Sequence, residues 1–379
     1  MSDETSKIQG STGEHPGKML RQMAEARGWG GDELADITGF ARQHLSSVMS
    51  GKTGVSPDMA VALAAAFGNT PAEWLRWNAE HQLSMVSVDP AEVEARAELY
   101  DLAPVRDMQK RGWIKETKTF EELEAELTRF YGGSPRNGVT FPVSALKSDP
   151  LATLTPAEKA WCFRARQGAE RSVHVAVFDP TRLDAAEKKL RQLAAYPKEI
   201  ERLPETLAYY GIRFVVVELI PDAKIDGAAF WIGDSPVIAI SARWDRIDAV
   251  WFTIMHEFMH IKNGDAVSFD VNLVRDSDHG IIIATSDNAA EQRANEQAAD
   301  VLVPVSELDS FIKRQSPRYA AERIIQFANR IKMHPGVIVG QLQHRCELKY
   351  SAHRDFLVKV RNIVTDVALT DGWGRTIGN

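Results

Sequence analysis

One five-residue segment constrains this chain more than any other, because it places two histidines four residues apart with a glutamate directly after the first: His256-Glu257-Phe258-Met259-His260. Residues at this spacing share a face on an α-helix. On such a helix both imidazoles can approach one metal ion while the glutamate carboxylate faces the same space. We therefore predict a buried helix over Ile247–Lys262, closed by Asn263–Gly264.

A second helix is predicted to complete this site. Zinc that acts in catalysis has three protein ligands and one open position, so a third ligand must come from another segment. The helix predicted at about Asn288–Val303 offers Glu291 and Asn295, again four residues apart. We expect Glu291 to bind Zn²⁺ and Asn295 to hold a histidine N–H from behind. Glu296 and Asp300 are the alternatives to Glu291.

The chemistry expected at such a site is hydrolysis. With zinc bound, Glu257 would take a proton from water and pass it to the leaving amine. The sequence leaves open which side chain stabilises the oxyanion, and the candidates are Arg275, His279, His334 and Tyr350. The predicted strand Val237–Ser241 precedes the histidine helix and could bind an extended peptide by edge pairing.

The first ninety residues carry a different pattern, that of short helices with clear start and stop residues. Ser56–Pro57 and Thr70–Pro71 are typical helix starts. The second and third helices meet at Gly39 with the spacing of a helix-turn-helix, whose third helix enters the major groove of DNA. The candidate DNA contacts are the outward residues of that helix and a lysine at its end: Arg42, Gln43, His44, Ser47 and Lys52.

Charge argues against tight DNA binding by one copy of this domain. The whole chain of 379 residues has a net charge of −7. Residues 15–81 contain six Lys or Arg and seven Asp or Glu, which leaves −1, and phosphate neutralisation normally dominates affinity for DNA. A homodimer would raise the affinity. The alternative is a helical bundle used only for dimerisation.

Composition points to a cytoplasmic protein without membrane contact. Cys162 and Cys346 are too few for a disulfide framework. The polar start of the chain has no apolar run typical of a signal peptide, and no segment is apolar over the length of a membrane span.

The chain is expected to be multidomain, with an all-α domain followed by an α+β domain. We predict a disordered tail at 1–14, a helix-turn-helix domain at 15–88 and a mostly helical region of unknown role at 89–205. The α+β domain is predicted at 206–379, where apolar runs such as Ile212–Leu219 indicate strands. Ser172–Phe178 could be a further strand.

Two groups of residues resemble known families. The first group resembles the HigA-type antitoxin branch of the Xre-like helix-turn-helix regulators. It consists of His15–Leu20, Asp32–Ala35, Arg42–Ser46 and Ser56–Ala60. The second group resembles the ImmA/IrrE zinc metallopeptidase family. It consists of His256–Gly264, of Glu291 with Ala294, Asn295, Ala298 and Pro304, and of Phe327–Ala328 and His334–Leu342.

The resemblance implies a gluzincin-like zinc site with His256, His260 and Glu291 as ligands and Glu257 as base. It also implies a DNA-binding regulator that carries a zinc-dependent endopeptidase, which cleaves a repressor, antitoxin or similar regulatory protein. The alternative is a HigA-like transcriptional regulator or antitoxin whose peptidase-like domain senses a ligand or a partner, such as a toxin, without proteolysis.

The sequence departs from the patterns of these families in three places. Gly30–Gly31 stands where the helix-turn-helix domains usually have Ser-Gln or similar, which removes a helix N-cap and a phosphate contact. Arg293 stands where an acidic residue is common, and Gln297 where an aromatic residue is common. The last two lie beside the expected ligands and could alter activity without removing zinc.

Overall fold

The structure, a computed structural model, describes residues 13–142, 151–172, 174–265, 267–271, 274–277, 280–283 and 288–370. Most of the predicted tail and the candidate His279 therefore lie outside the described residues. The chain divides into two compact units, one up to Val93 and one from Glu94 onward. Over the described ranges, every helix is too short or too polar to cross a bilayer.

The first unit consists of five short helices: α1 (Pro16–Ala26), α2 (Gly31–Thr38), α3 (Arg42–Met49), α4 (Pro57–Phe67) and α5 (Pro71–Ser84). The predicted starts of α4 and α5 are confirmed, because the side chains of Ser56 and Thr70 each accept a backbone hydrogen bond from the first turn. Gly39 ends α2 in the left-handed conformation, with φ 73°. One residue from each helix is fully buried in a shared core: Leu20, Leu34, Leu45, Met59 and Trp74.

The second unit begins with helices that come before its sheet: α6 (Pro90–Leu102, which starts in the first unit), α7 (Val105–Lys110), α8 (Phe120–Tyr131), α9 (Pro156–Glu170), α10 (Leu183–Leu193) and α11 (Leu203–Tyr209). Three 3₁₀ turns lie among them, at Pro135–Asn137, Pro180–Arg182 and Pro197–Arg202. Residues 174–178, predicted as part of a strand, are not in a strand. Ala176 N–H donates to the carbonyl of Ala208 at the end of α11 instead, so this run is an extended connection, in which Val177 is 90% exposed.

The remainder of the unit alternates strands and helices: β1 (Arg213–Val216), β2 (Ile225–Ile232), β3 (Ser235–Ile240), α12 (Ile247–Asn263), β4 (Ser268–Val271), β5 (Val274–Ser277), β6 (Gly280–Ile283), α13 (Ala289–Leu302), α14 (Val305–Gln315), α15 (Ala321–Ile331), α16 (Pro335–His344), a 3₁₀ turn (Arg354–Phe356), α17 (Arg361–Thr365) and β7 (Leu369–Thr370). The predicted helix around the two histidines is thus confirmed, and so is the α+β class of this domain.

Five of the strands form one mixed sheet in the order β4-β2-β3-β1-β7, and β5 and β6 form a separate antiparallel pair. Within the five-stranded sheet, β3 pairs with β1 on one side and with β2 on the other. The prediction that β3 binds a peptide by edge pairing is therefore wrong, because its backbone groups are already used on both sides.

Helices cover both faces of this sheet. Side chains of a strand alternate between faces, and Phe214 and Val216 of β1 belong to the core around α12, whereas Val215 and Val217 belong to a second core. That second core is built from α6 to α9, and Trp161 of α9 donates a buried hydrogen bond to the Val217 carbonyl (2.7 Å). Burial on both faces explains why β1 is a continuous apolar run rather than an alternating one.

Candidate metal centre

Helix α12 is a core helix, which brings its polar residues into an apolar interior. Most of its residues lie in the apolar core, and Trp251, Ile254 and Phe258 are fully buried. His256, Glu257 and His260 are 0%, 0% and 1% exposed. Burying three such groups costs several kcal/mol unless they are paired or bind a metal ion, so this helix is the candidate for a site.

The two histidines and Glu291 of α13 come together in one group that can hold a metal ion. The Nε2 atoms of His256 and His260 are 2.9 Å apart. The Glu291 Oε2 atom lies 3.3 Å from the first and 3.5 Å from the second. Ligand atoms about 2.1 Å from a tetrahedral zinc ion lie roughly 3.4 Å from one another. Both distances to Glu291 fit this value, and the histidine rings need to separate by about half an ångström.

The proton of His260 is directed away from this group by an aspartate that sequence reasoning missed. Asp265 Oδ2 lies 2.8 Å from His260 Nδ1, so the Nδ1–H donates to the carboxylate and Nε2 keeps a lone pair toward Glu291 and His256. The signal for Asp265 in the sequence was its place directly after Gly264, but only the fold of the helix end shows that it turns back.

Glu257 occupies space that a glycine leaves free. A Cβ atom built on Gly227 of β2 would lie 2.2 Å from Glu257 Oε1 and 2.8 Å from Thr253 Cγ2. Any larger residue at 227 would therefore push the carboxylate away. The sheet thus accommodates the residue that the sequence predicts as general base, within the same buried region as the three candidate ligands.

The other residues of α13 divide clearly. Glu296 and Asp300, the alternatives to Glu291, are exposed and lie outside the metal-binding group. Asp300 instead accepts the backbone N–H of Val305 (2.8 Å). Asn295 Oδ1 is buried and accepts no hydrogen bond from the described residues, so its expected contact with a histidine stays a prediction. Ser268 of β4 donates to Glu291 Oε1 (3.0 Å) and holds the carboxylate from the sheet side.

The oxyanion contact stays a prediction, because Arg275 lies on β5 and the described hydrogen bonds of His334 and Tyr350 do not include this group. His334 caps α16, where its Nδ1 accepts the Gly336 N–H (3.0 Å). Burial raises the pKa of Tyr350 to about 12, while the charge of Arg246 acts to lower it, so Tyr350 lies near the start of α12.

The candidate DNA contacts lie on α3 and directly after it. Arg42, Gln43, His44 and Lys52 are exposed and Ser47 is half-buried. Arg42 makes two hydrogen bonds to the carboxylate of Asp32 on α2 (2.8 and 2.9 Å). Gly30, one of the departures from the family pattern, caps α2 without a side chain, and Glu33 accepts its N–H instead.

Comparison with known proteins gives one family match in each unit. A family model described as a helix-turn-helix domain matches residues 17–77. A peptidase family model described as an IrrE N-terminal-like domain matches residues 208–347, which includes α12 and α13. The second unit thus contains a region that matches the IrrE N-terminal-like peptidase family, and a helix-turn-helix domain comes before it in the chain. The predicted family is therefore confirmed.

Three individual relatives each match about a fifth of this chain. Virulence-associated proteins A′ and A of Dichelobacter nodosus are 36% and 39% identical over 73 and 75 residues. Each match covers 19% of this chain, and 64% and 74% of the two relatives. A solved structure of an addiction module antidote protein of a HigA family from Coxiella burnetii is 24% identical, with 20% of this chain and 83% of that chain covered and a TM-score of 0.19.

Proposed function

We propose that this protein is a zinc-dependent endopeptidase that cleaves a repressor, an antitoxin or a similar regulatory protein, and that its helix-turn-helix domain binds DNA. The observation that carries the proposal is the buried group of His256, His260 and Glu291. Two imidazoles and one carboxylate are the ligand set of many zinc peptidases. The distances of 3.3 and 3.5 Å to Glu291 suit a tetrahedral ion.

The residues of the chain would divide the work of hydrolysis. His256, His260 and Glu291 would hold the zinc ion, and a bound zinc ion would supply a Lewis acid for a peptide carbonyl and for water. Glu257 would accept a proton from water on its carboxylate and deliver it to the leaving amine. Asp265 keeps the Nε2 lone pair of His260 available by accepting the Nδ1–H. Ser268 orients the carboxylate of Glu291.

DNA binding would use the exposed residues of α3. Arg42, Gln43 and His44 can reach base edges or phosphates, and Lys52 suits a phosphate. Because Arg42 pairs with Asp32 and the domain is close to neutral, we expect weak affinity for one copy and a homodimer on the operator.

The first experiment measures zinc by elemental analysis in the purified full chain. We expect about one zinc ion per chain in wild type and a strong loss in both His260→Ala and Glu291→Ala. A wild-type protein without zinc, even after incubation with Zn²⁺, would contradict the proposed peptidase.

The second experiment tests catalysis with Glu257→Gln as the matched control. This variant keeps the shape of residue 257 and should keep zinc, but it cannot accept a proton. Wild type and variant are incubated with a peptide library, and products are identified by mass spectrometry. Products that need zinc and disappear in the variant are expected. Products that are the same in both proteins would show that Glu257 is not the base.

A further inference from the structure

We propose that Asp265 and Arg293 are positioning residues for the ligand His260, with Arg293 acting through Asp265. This inference rests on the proposed zinc site and assigns the residues that hold it in shape. The contacts form a chain: Arg293 Nη2 lies 3.3 Å from Asp265 Oδ1, and Asp265 Oδ2 lies 2.8 Å from His260 Nδ1.

The backbone brings Asp265 to this place. Gly264 follows the last residue of α12 in the left-handed conformation, with φ 75°. The N–H of Gly264 then donates to the carbonyl of Ile261 and the N–H of Asp265 to the carbonyl of His260 (3.1 and 3.0 Å). This is the hydrogen-bond pattern of a Schellman motif. It fixes Asp265 beside the last turn of α12, so both its backbone and its side chain contact His260.

Two residues of α13 tie this helix end to the helix that carries Glu291. Arg293 contacts Asp265, and Gln297, four residues further on, accepts a hydrogen bond from Asn263 Nδ2 (2.8 Å). Residues four apart share one helix face, so α13 presents a single polar face to the end of α12. These are the two positions at which the sequence departs from the pattern of the peptidase family. Both contacts fix the distance between His260 and Glu291.

The geometry favours a positioning role over a contribution to stability. The Arg293 side chain is 49% exposed and that of Asp265 is 21% exposed, and exposed ion pairs contribute little to the free energy of unfolding. In contrast, His260 is buried and its ring needs one defined orientation to bind a metal ion. Mutation of a carboxylate that accepts a hydrogen bond from a metal-bound histidine commonly lowers metal affinity by about tenfold to a hundredfold.

The test is the affinity of the full chain for Zn²⁺, measured by competition with a chromophoric chelator. Asp265→Ala should bind Zn²⁺ roughly 10- to 100-fold more weakly than wild type. Asp265→Asn should lose less, because its amide oxygen can still accept the Nδ1–H. The thermal stability of the metal-free proteins should stay close to wild type. An Asp265→Ala protein that binds Zn²⁺ as tightly as wild type would overturn the inference.

The role of Arg293 is tested by coupling. Arg293→Gln should weaken Zn²⁺ binding roughly threefold in the wild-type background. In the Asp265→Ala background it should leave Zn²⁺ affinity unchanged, because the effect of Arg293 passes through Asp265. Arg323→Gln on α15 is the matched control and should leave Zn²⁺ affinity unchanged in both backgrounds. The same change from Arg293→Gln in both backgrounds would reveal a direct charge effect and overturn the coupling. Wild type without Zn²⁺ binding overturns the proposed function itself.

Discussion

Gly227 has no side chain, and that absence decides where the carboxylate of Glu257 can lie. A methyl group at 227 would overlap with Glu257 Oε1 and contact Thr253 at 2.8 Å. We predict that Gly227→Ala keeps zinc but lowers the rate of peptide cleavage by about two orders of magnitude, because a displaced base loses its geometry. Zinc content and cleavage are measured on the same sample.

The control for this change is Gly133→Ala. Gly133 has open space around its Cβ position, so the change should leave zinc and cleavage unaffected. Loss of zinc in Gly227→Ala would mean that the sheet supports the whole metal group and not the base alone.

Arg42 is the residue at which the DNA-binding prediction can be tested most directly. Its guanidinium is held by Asp32, and both side chains are mostly exposed, so the pair contributes little to stability. We predict that Asp32→Asn strengthens binding to duplex DNA by roughly threefold to tenfold at low salt, since it releases Arg42 and removes a negative charge. Binding is measured by fluorescence anisotropy at several salt concentrations.

Two further variants serve as comparisons for Asp32→Asn in the DNA-binding measurement. Arg42→Ala should weaken binding and reduce its dependence on salt by about one phosphate contact. Asp58→Asn on α4 changes the charge equally and should have a smaller effect. Equal strengthening by Asp32→Asn and Asp58→Asn would indicate that only the net charge matters.

Individual site residues were predictable from the sequence when their relation is local. His256, Glu257 and His260 lie within two turns of one helix, so spacing alone places them on one face. Glu291 was a weaker prediction with two competitors, because its choice depends on how α13 packs. Asp265 could not be foreseen, since its contact with His260 arises from the backbone turn at Gly264.

At the scale of elements, stability should respond differently to a change to alanine at the two ends of α2, where Gly31 begins the helix and Gly39 follows it. Gly39 has φ 73° and nothing within 4 Å of its Cβ position, so Gly39→Ala introduces only backbone strain and should destabilise the first unit by about 1 kcal/mol. Gly31 is the first residue of α2, where alanine is the better helix former. Gly31→Ala should leave stability unchanged or raise it slightly.

These free energies of unfolding are measured by urea denaturation followed through tryptophan fluorescence. Trp74 lies in the core of the first unit and reports on it. If Gly39→Ala and Gly31→Ala destabilise the first unit equally, the left-handed conformation of Gly39 does not explain the loss of stability.

Helices were easier to predict than the arrangement of strands. Helix starts such as Ser56–Pro57 are visible within four residues. The place of β3 in the sheet depends on β1 and β2, and β1 lies more than twenty residues away. The run around Val175 reads as a strand by composition, but no neighbouring strand pairs with residues 174–178, so tertiary context overrides propensity.

For the whole molecule, the two compact units have separate apolar cores, and the candidate metal group lies entirely in the second. Ligand binding stabilises only the unit that binds it, by about 2.7 kcal/mol when the free ligand is a hundred times its Kd. We therefore predict two transitions in scanning calorimetry. Removal of zinc with a chelator should lower the Tm of the larger transition by about 5 °C.

The smaller transition should keep its Tm under the same treatment. Glu291→Ala should show the lower Tm without a chelator and no further change when one is added, because it lacks a ligand. Asp300→Ala, a carboxylate on the same helix outside the metal group, should behave like wild type apart from losing its contact with Val305. A chelator that lowers both transitions equally would show that the metal does not belong to the second unit alone.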